Sequence, residues 1–181
     1  RLFEPLKPEI DTLGDFPSLF LGLVNDEGDL EFYDGKVRIV DSEGNVVADA
    51  LDPARYLTYL GEVAEPYTYV KPAFFRALGY PGGMYRVGPL ARLNVVKSTG
   101  TPRADKELKA FRALGRSGIV SRSFHYHYAR LIEMVHCLER IEELLQDPDL
   151  LNTRVRSLAQ PNHHEAVGCC EAPRGILWHH Y

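Results

Sequence analysis

The feature that most constrains the fold is a helical repeat of apolar residues in the last third of the chain. Between Ser123 and Gln146, apolar side chains recur three and four positions apart, at Leu131, Met134, Val135, Leu138, Ile141 and Leu145. Residues with this spacing share one face of a helix, and the charged residues of the segment lie mostly off that face. Asp147-Pro148 follows as a helix end. The segment 123–146 therefore predicts one long amphipathic helix.

Upstream, short alternating apolar runs are separated by turn residues. From Leu30 onward, Asp34-Gly35 separates two such runs, and residues 42–45 separate the next two. Alternation with a period of two, interrupted by tight-turn residues, is typical of antiparallel strands. The segment 19–50 is therefore predicted to be a β-rich part made of peripheral hairpins.

Three further segments complete the predicted architecture. Asp52-Pro53 and Thr101-Pro102 each pair a capping residue with a Pro at the first helical position, and each predicts a helix. The Pro and Gly residues between Leu2 and Phe20 predict irregular chain. The expected fold class is α+β, with peripheral β-hairpins plus helices, including the long amphipathic one.

Composition excludes several classes of protein. Lys and Arg number 21 against 25 Asp and Glu, a net charge of −4, which lacks the basic signature of nucleic-acid binding. The longest apolar runs fall far short of the roughly 20 residues of a membrane span. Three cysteines, two of them adjacent, form no even disulfide framework, and no signal peptide precedes them, so we expect a cytoplasmic protein. Arg1 in place of Met, and the abrupt end at Tyr181, lead us to expect a piece of a longer protein.

The first segment that could carry chemistry runs from Tyr85 to Asn94. It sets Arg86 and Arg92 in an apolar, strand-like sequence with Gly88-Pro89 at its middle. Buried guanidinium groups are costly unless they are paired. The alternative to a functional role is an Arg that ties loops together through carboxylates and carbonyls.

The second segment runs from Gly168 to Leu177. Pro173 fixes its own φ and Gly175 permits close backbone approach, so Arg174 should sit on a stiff bend between two extended runs. Such a bend can aim a cation at a reaction centre, although a purely structural turn is the alternative. Cys169 and Cys170 should point to opposite faces of the extended chain, which makes them poor joint ligands for one metal.

The remaining candidates are histidines and a cysteine that belong to no known catalytic or metal-binding motif. The histidines near the long helix lack the i, i+4 spacing that presents two imidazoles to one metal, and the pairs His163-His164 and His179-His180 have no ligand spacing that defines a site. Cys137 is interpreted as a small buried apolar residue. No CxxC, GxGxxG or HExxH motif is present.

Three segments together resemble a known family. The run Gly79 to Asn94, the helix beginning Tyr128-Ala129-Arg130-Leu131-Ile132-Glu133, and residues 171–175 (EAPRG) with His179-His180-Tyr181 resemble the large subunit of nickel-iron hydrogenases. Their order and separation also fit. The similarity is greatest to the cytoplasmic, multimeric branch linked to NAD(P) or another soluble cofactor. Residues 17–49 and 61–71 are also similar to that branch. We expect 1–181 to be a single internal segment of such a subunit, made of a β-rich part (19–50), the VGPLAR segment (82–96), the long helix (123–146) and the EAPRG segment (166–181).

The resemblance implies reversible oxidation of H2 at a nickel-iron centre with CO and cyanide ligands. The family holds these metals with two CxxC motifs, and this sequence contains neither, so we expect no metal ligand and no cofactor in this piece alone. Residue by residue, the resemblance makes Arg174 catalytic and places Pro173, Glu171 and Gly175 in the lining of the active site. It also implies two partners, which are a diaphorase-type module and an iron-sulfur small subunit.

Two consequences follow if the chain is an internal segment. The long helix would belong to a central helical bundle in the full subunit, so its apolar face should be bare here and the piece should self-associate. The alternative interpretation is a scaffold or subunit-contact module of hydrogenase ancestry without a nickel site. CxxC motifs in the flanking sequence would discriminate between the two.

Overall fold

A computed structural model describes residues 4–181 and shows a mixed α and β architecture. The strands are β1 (Leu19–Val24), β2 (Lys36–Val40), β3 (Val46–Leu51), β4 (Leu60–Glu62), β5 (Ala73–Phe75), β6 (Tyr85–Arg86), β7 (Val167–Ala172) and β8 (Gly175–His180). The helices are α1 (Lys7–Thr12), α2 (Tyr56–Tyr59), α3 (Pro89–Val95), α4 (Pro102–Arg112) and α5 (Tyr126–Leu144). The predicted α+β class is confirmed.

A four-stranded sheet in the order β3-β2-β1-β6 forms the centre of the molecule. β1 is antiparallel to β2, and β6 joins its other edge in parallel through the pair Leu19 and Tyr85. Every residue of β1 is buried, because both faces of the sheet are covered at this strand. β1 lies upstream of the alternating run that was predicted from Leu30. That run is not a strand, and it forms only an isolated bridge between Leu30 and Val24.

The alternation of β1 divides the core into two clusters. Phe20 and Val24 face the first core cluster, which is built mainly with the helices and includes Leu90, Leu93, Phe111, Ala129 and Ile132. Leu21 and Leu23 face the second core cluster, which includes Ile39, Tyr59, Leu60 and Phe75. Successive side chains of a strand point to opposite faces, so one short apolar strand serves both clusters.

The segment predicted to be strand-like from Tyr85 to Asn94 is mostly helical. Only Tyr85–Arg86 is a strand, and α3 begins at Pro89, directly after Gly88. Pro at the first helical position needs no N–H donor, and its fixed φ suits the helix. All seven residues of α3 are buried, so no polar face gives the segment a helical signature.

The long helix is confirmed, although its buried face differs from the predicted stripe. A 3-10 turn over Ser123–His125 leads into α5, and the buried residues of α5 are Ala129, Ile132, Glu133 and His136. The predicted stripe is largely exposed, with Leu131, Met134, Leu138, Ile141 and Leu145 each at least half accessible to solvent. The interpretation of Cys137 as a buried residue is wrong, since its side chain is exposed on this same helix.

The described chain begins with a short helix and ends with a hairpin. The entering segment, expected to be irregular, contains α1, and residues 1–3 lie outside the described residues. At the other end, β7 and β8 pair antiparallel from Val167 with His180 to Ala172 with Gly175, which leaves Pro173-Arg174 as a two-residue turn. No helix among residues 4–181 is long and apolar enough to span a bilayer.

Candidate functional site

Arg174 lies where the sequence predicted it, on a tight bend between two extended runs. Pro173 and Arg174 are both exposed at the turn between β7 and β8. Within the described part of the chain, the Arg174 guanidinium forms no hydrogen bond or ion pair. The turn therefore presents one unpaired cation on a short, stiff loop.

The backbone of this turn is packed against the start of α3. A Cβ added to Gly88 would lie 2.7 Å from the carbonyl oxygen of Arg174, and Gly88 has a φ of +83°. A Cβ added to Gly175 would lie 2.5 Å from a methyl group of Val87. Both glycines are therefore required by close approach of the two segments, and Gly88 also by its left-handed φ.

Arg92 lies beneath the turn, and its guanidinium is held by four hydrogen bonds. It is 2% exposed and donates from Nε and Nη2 to the two carboxylate oxygens of Glu133, at 2.6 and 2.8 Å. Its Nη1 donates to Glu171 Oε2 at 2.8 Å and to the Ala172 carbonyl at 2.9 Å. The interpretation of this segment's Arg residues as ties through carboxylates and carbonyls is confirmed for Arg92.

Arg86 follows the same pattern with carbonyls alone. Its guanidinium donates to the carbonyl of Ser121 and, at 2.9 Å, to the carbonyl of Gly14. It also lies over the ring of Phe16, 3.9 Å from the ring centroid. Arg86 therefore joins the entering segment and the approach to α5 onto the central sheet.

Glu171 connects Arg92 to the central strand. Its Oε1 accepts a hydrogen bond from the backbone N–H of Leu23 at 2.9 Å, and its own N–H donates to the Phe32 carbonyl at 2.6 Å. The Glu171 side chain is 1% exposed. Glu171 is therefore a buried support directly behind the turn.

We call Arg92, Glu133 and Glu171 the Arg92 triad. Burial opposes the charge on Arg92, but the hydrogen bonds and charges of the two carboxylates outweigh it and raise the pKa of Arg92. Burial raises the pKa of Glu171 above the usual carboxyl value, and Arg92 works against that rise. Removing one partner of such a buried set leaves an uncompensated charge, at a cost of about 3 to 5 kcal/mol.

An apolar groove of about 490 Å³ runs beside the triad and the turn. Glu171, Ala172 and Pro173 line one side of it, and Phe32, Met134 and Leu138 contribute apolar surface. The structure thus brings Glu171 and Pro173 to one groove and places Gly175 outside it, against Val87.

The cysteines and histidines do not converge on a metal. Among the residues described, no three or more His, Cys, Asp or Glu side chains are placed to hold a metal ion. Cys169 and Cys170 alternate along β7 as predicted, and Cys169 packs against the second core cluster. His180 pairs with Glu165 at 2.8 Å, and His136 contacts the Thr101 hydroxyl at 3.1 Å.

Glu133 is the member of the site that sequence reasoning missed. Helical periodicity groups it with the charged residues of α5 that lie off the apolar stripe, yet it is buried. The available signal is general: an Arg in an apolar segment needs a buried carboxylate. Nothing in the spacing of 41 residues between Arg92 and Glu133 identifies which carboxylate that is.

Comparison with known proteins relates this α+β unit to hydrogenases. The chain is 38% identical over 177 residues to the NAD-reducing hydrogenase HoxS subunit beta of Cupriavidus necator, covering 97% of this chain and 36% of the relative. It is 42% identical over 173 residues to a vhu subunit of the F420-non-reducing hydrogenase of Methanococcus voltae, covering 95% and 40%. No family model matches the chain.

A solved structure gives the same result for the fold. The chain is similar to an NAD+-reducing NiFe hydrogenase crystallised in the H2-reduced state, with 40% identity and a TM-score of 0.92 over 100% of this chain and 40% of that chain. The homologues of this chain are therefore hydrogenase subunits. The chain spans about two fifths of the length of the Cupriavidus and Methanococcus relatives.

Proposed function

We propose that this chain is an internal part of the large, catalytic subunit of a cytoplasmic nickel-iron hydrogenase. The parent enzyme would oxidise H2 reversibly to protons and electrons and pass the electrons to a soluble acceptor such as NAD(P). The proposal is supported by similarity to hydrogenase subunits along 97% of the chain. The single observation that carries it is the unpaired Arg174 guanidinium, presented on a turn that is fixed from behind by a buried ion triad.

The residues of this chain do not fit as ligands of the nickel-iron centre. Such a centre needs convergent thiolates, whereas Cys169 and Cys170 alternate on one strand, and no three or more His, Cys, Asp or Glu side chains among the described residues are placed to hold a metal ion. We therefore assign this chain no metal ligand and derive no step through the centre. The diaphorase-type module and the iron-sulfur small subunit remain part of the proposal as partners of the parent enzyme.

Arg174 can serve the reaction as a fixed cation. Heterolytic cleavage of H2 separates negative from positive charge, and a preorganised donor near the reacting atoms stabilises the charge as it develops. A guanidinium offers five N–H donors and no acceptor, so Arg174 is suited to donating hydrogen bonds rather than to accepting the proton. Because Pro173 restricts the backbone of the turn, Arg174 needs little change of position during the reaction.

The test is Arg174→Lys in the full-length parent enzyme. Lys keeps one positive charge but loses the planar fork of donors, so we expect the H2 oxidation rate per nickel to fall roughly 10²- to 10³-fold, or about 3 to 4 kcal/mol of barrier. Nickel content should be unchanged, because Arg174 is not assigned as a ligand. Arg154→Lys, an exposed Arg on the segment after α5, is the matched control and should keep wild-type turnover.

Near wild-type turnover of Arg174→Lys would make Arg174 a structural residue. Loss of nickel would mean that the turn is needed to build the centre. Absence of nickel, iron and H2 oxidation in the wild-type full-length protein would contradict the proposed function altogether.

A scaffold or subunit-contact module without nickel is the second candidate. The exposed apolar residues along α5 favour it, because a contact surface of this kind suits packing against another protein segment. Metal analysis of the full-length protein, purified without a nickel affinity column, separates the two: stoichiometric nickel and iron support the hydrogenase, and their absence supports the scaffold.

A further inference from the structure

We propose that Arg92 is a positioning residue that fixes the Pro173-Arg174 turn and acts on the reaction through the Arg174 guanidinium. This inference rests on the proposed function for its catalytic part. Its structural part, the anchoring of the turn, rests only on contacts within the described chain.

The hydrogen bonds of Arg92 lead to the entry of the turn. One nitrogen, Nη1, donates both to the Glu171 carboxylate at 2.8 Å and to the Ala172 carbonyl at 2.9 Å. These two residues immediately precede the turn. Glu171 is tied in turn to the N–H of Leu23 in the central strand, so the entry to the turn is attached to α3 and β1 at once.

The exit of the turn contacts the same short segment that carries Arg92. The Arg174 carbonyl lies against Gly88, and Gly175 lies against the Val87 side chain. Tyr126 of α5 donates to the Val87 carbonyl at 2.9 Å and holds this segment. Residues 87–92 therefore contact the turn on both sides, through backbone packing at one end and the Arg92 guanidinium at the other.

The chemistry of the guanidinium suits it to hold two elements at once. Nε and Nη2 are engaged by the two oxygens of Glu133, which leaves Nη1 directed to the turn. A planar fork can serve both carboxylates and a carbonyl together, whereas a Lys ammonium on a flexible stem cannot match that geometry. The residue type is thus specific to the task of joining α5 to the turn.

The first experiment measures hydrogen exchange of the backbone in the full-length protein carrying Arg92→Lys. We expect peptides covering 167–180 to exchange at least about tenfold faster than in the wild type, because the turn loses its anchor. Arg38→Lys is the matched control: Arg38 is also buried, donates twice to Asp49 at 2.9 Å and once to the Val95 carbonyl at the other end of α3. It should leave exchange of 167–180 unchanged.

The second experiment is a double-mutant cycle on the H2 oxidation rate per nickel. Arg92→Lys should lower the rate at least about tenfold in the wild-type background, and should lower it no further when Arg174 is already Ala, because both changes then remove the same contribution. If the two losses multiply, Arg92 acts independently of Arg174 and the positioning role is wrong. Arg38→Lys should lower the rate by a similar small factor, or not at all, in both backgrounds.

Each part of the inference can fail separately. Unchanged exchange of 167–180 in Arg92→Lys overturns the anchoring, whatever the activity. If the wild-type protein oxidises no H2, the proposed function fails while the exchange result still decides the anchoring. Should Arg92→Lys not fold, Glu171→Gln replaces it in both experiments, since its amide oxygen still accepts from Leu23 while the charge that pairs with Arg92 is lost.

Discussion

At the scale of single residues, Cys169 has a thiol whose pKa is raised well above the usual value. It packs against the second core cluster, and burial, together with the nearby Glu171 carboxylate, raises the pKa of Cys169 to about 12. At pH 8 a thiol of pKa 12 is about one part in 10⁴ thiolate, against about one part in ten at the reference value of 9.0. Since the thiolate is the reactive form, Cys169 should be chemically inert.

We therefore expect iodoacetamide at pH 8 to modify Cys169 on the order of 10³ times more slowly than an ordinary thiol. Mass spectrometry of a Cys170→Ser variant measures this, because Cys169 is then the one thiol of the hairpin. The same chain in concentrated urea is the control and should react at Cys169 and Cys137 alike. Rapid modification of Cys169 without urea would show that β7 does not bury it.

The site residues differ in how far the sequence could predict them. Arg174 and its bend were predictable, because the effects of Pro173 and Gly175 on the backbone are local. The burial of Glu171 and the pairing of Glu133 with Arg92 were not, since ion pairs between residues 79 and 41 positions apart depend on how three elements pack. The general cost of a buried cation predicts that partners exist without identifying them.

At the scale of elements, the contact between the start of α3 and the turn makes Gly88 a sensitive position. Gly88 has φ +83° and ψ −167°, a region that is essentially limited to Gly, and an added Cβ would meet the Arg174 carbonyl oxygen. We expect Gly88→Ala to lower the free energy of unfolding by about 3 kcal/mol or more, from backbone strain and displacement of the turn together. Urea denaturation measures the loss.

Gly100→Ala is the matched control for this prediction. Gly100 also has a left-handed φ, of +79°, but an added Cβ would meet nothing within 4 Å. Its cost should be limited to about 1 to 2 kcal/mol of backbone strain. Equal losses of unfolding free energy for the two variants would mean that contact with the turn adds nothing to the cost at Gly88.

The predictability of the elements follows the range of the interactions that form them. α4 begins at Pro102 and the 42–45 turn joins β2 to β3, as the local preferences of Pro and of turn residues predict, although the Thr101 side chain makes no capping hydrogen bond. α3 was missed because all of its residues are buried, so its sequence lacks the polar face from which helical periodicity is recognised. β1 lies within the predicted β-rich part 19–50, but the alternating run from Leu30 forms only an isolated bridge with Val24. β1 itself shows no alternation, because it is buried on both sides.

At the scale of the whole molecule, the central strand β1 is covered on both of its faces, while one face of α5 is not. Half or more of the surface of Leu131, Met134, Leu138, Ile141 and Leu145 is accessible. The helix is held on its other side by Ile132 and His136 and by Glu133 of the Arg92 triad. α5 therefore joins the candidate site to an apolar surface that has no cover within the described residues.

An apolar surface of this kind should make the chain associate with itself. Contiguous apolar patches beyond a few hundred Å² are uncommon on monomeric proteins, and burying each large side chain is favourable by about 1.5 to 3 kcal/mol. We expect light scattering across a dilution series to give an apparent mass that rises with concentration.

Leu138→Glu should shift this rise to at least about tenfold higher concentration, because Leu138 is 60% exposed at the middle of the stripe and a carboxylate there opposes burial. Leu158→Glu, also highly exposed but on the segment after α5, should leave it unchanged. A particle of constant mass at all concentrations would contradict the prediction, and an equal shift for both variants would place the association outside α5.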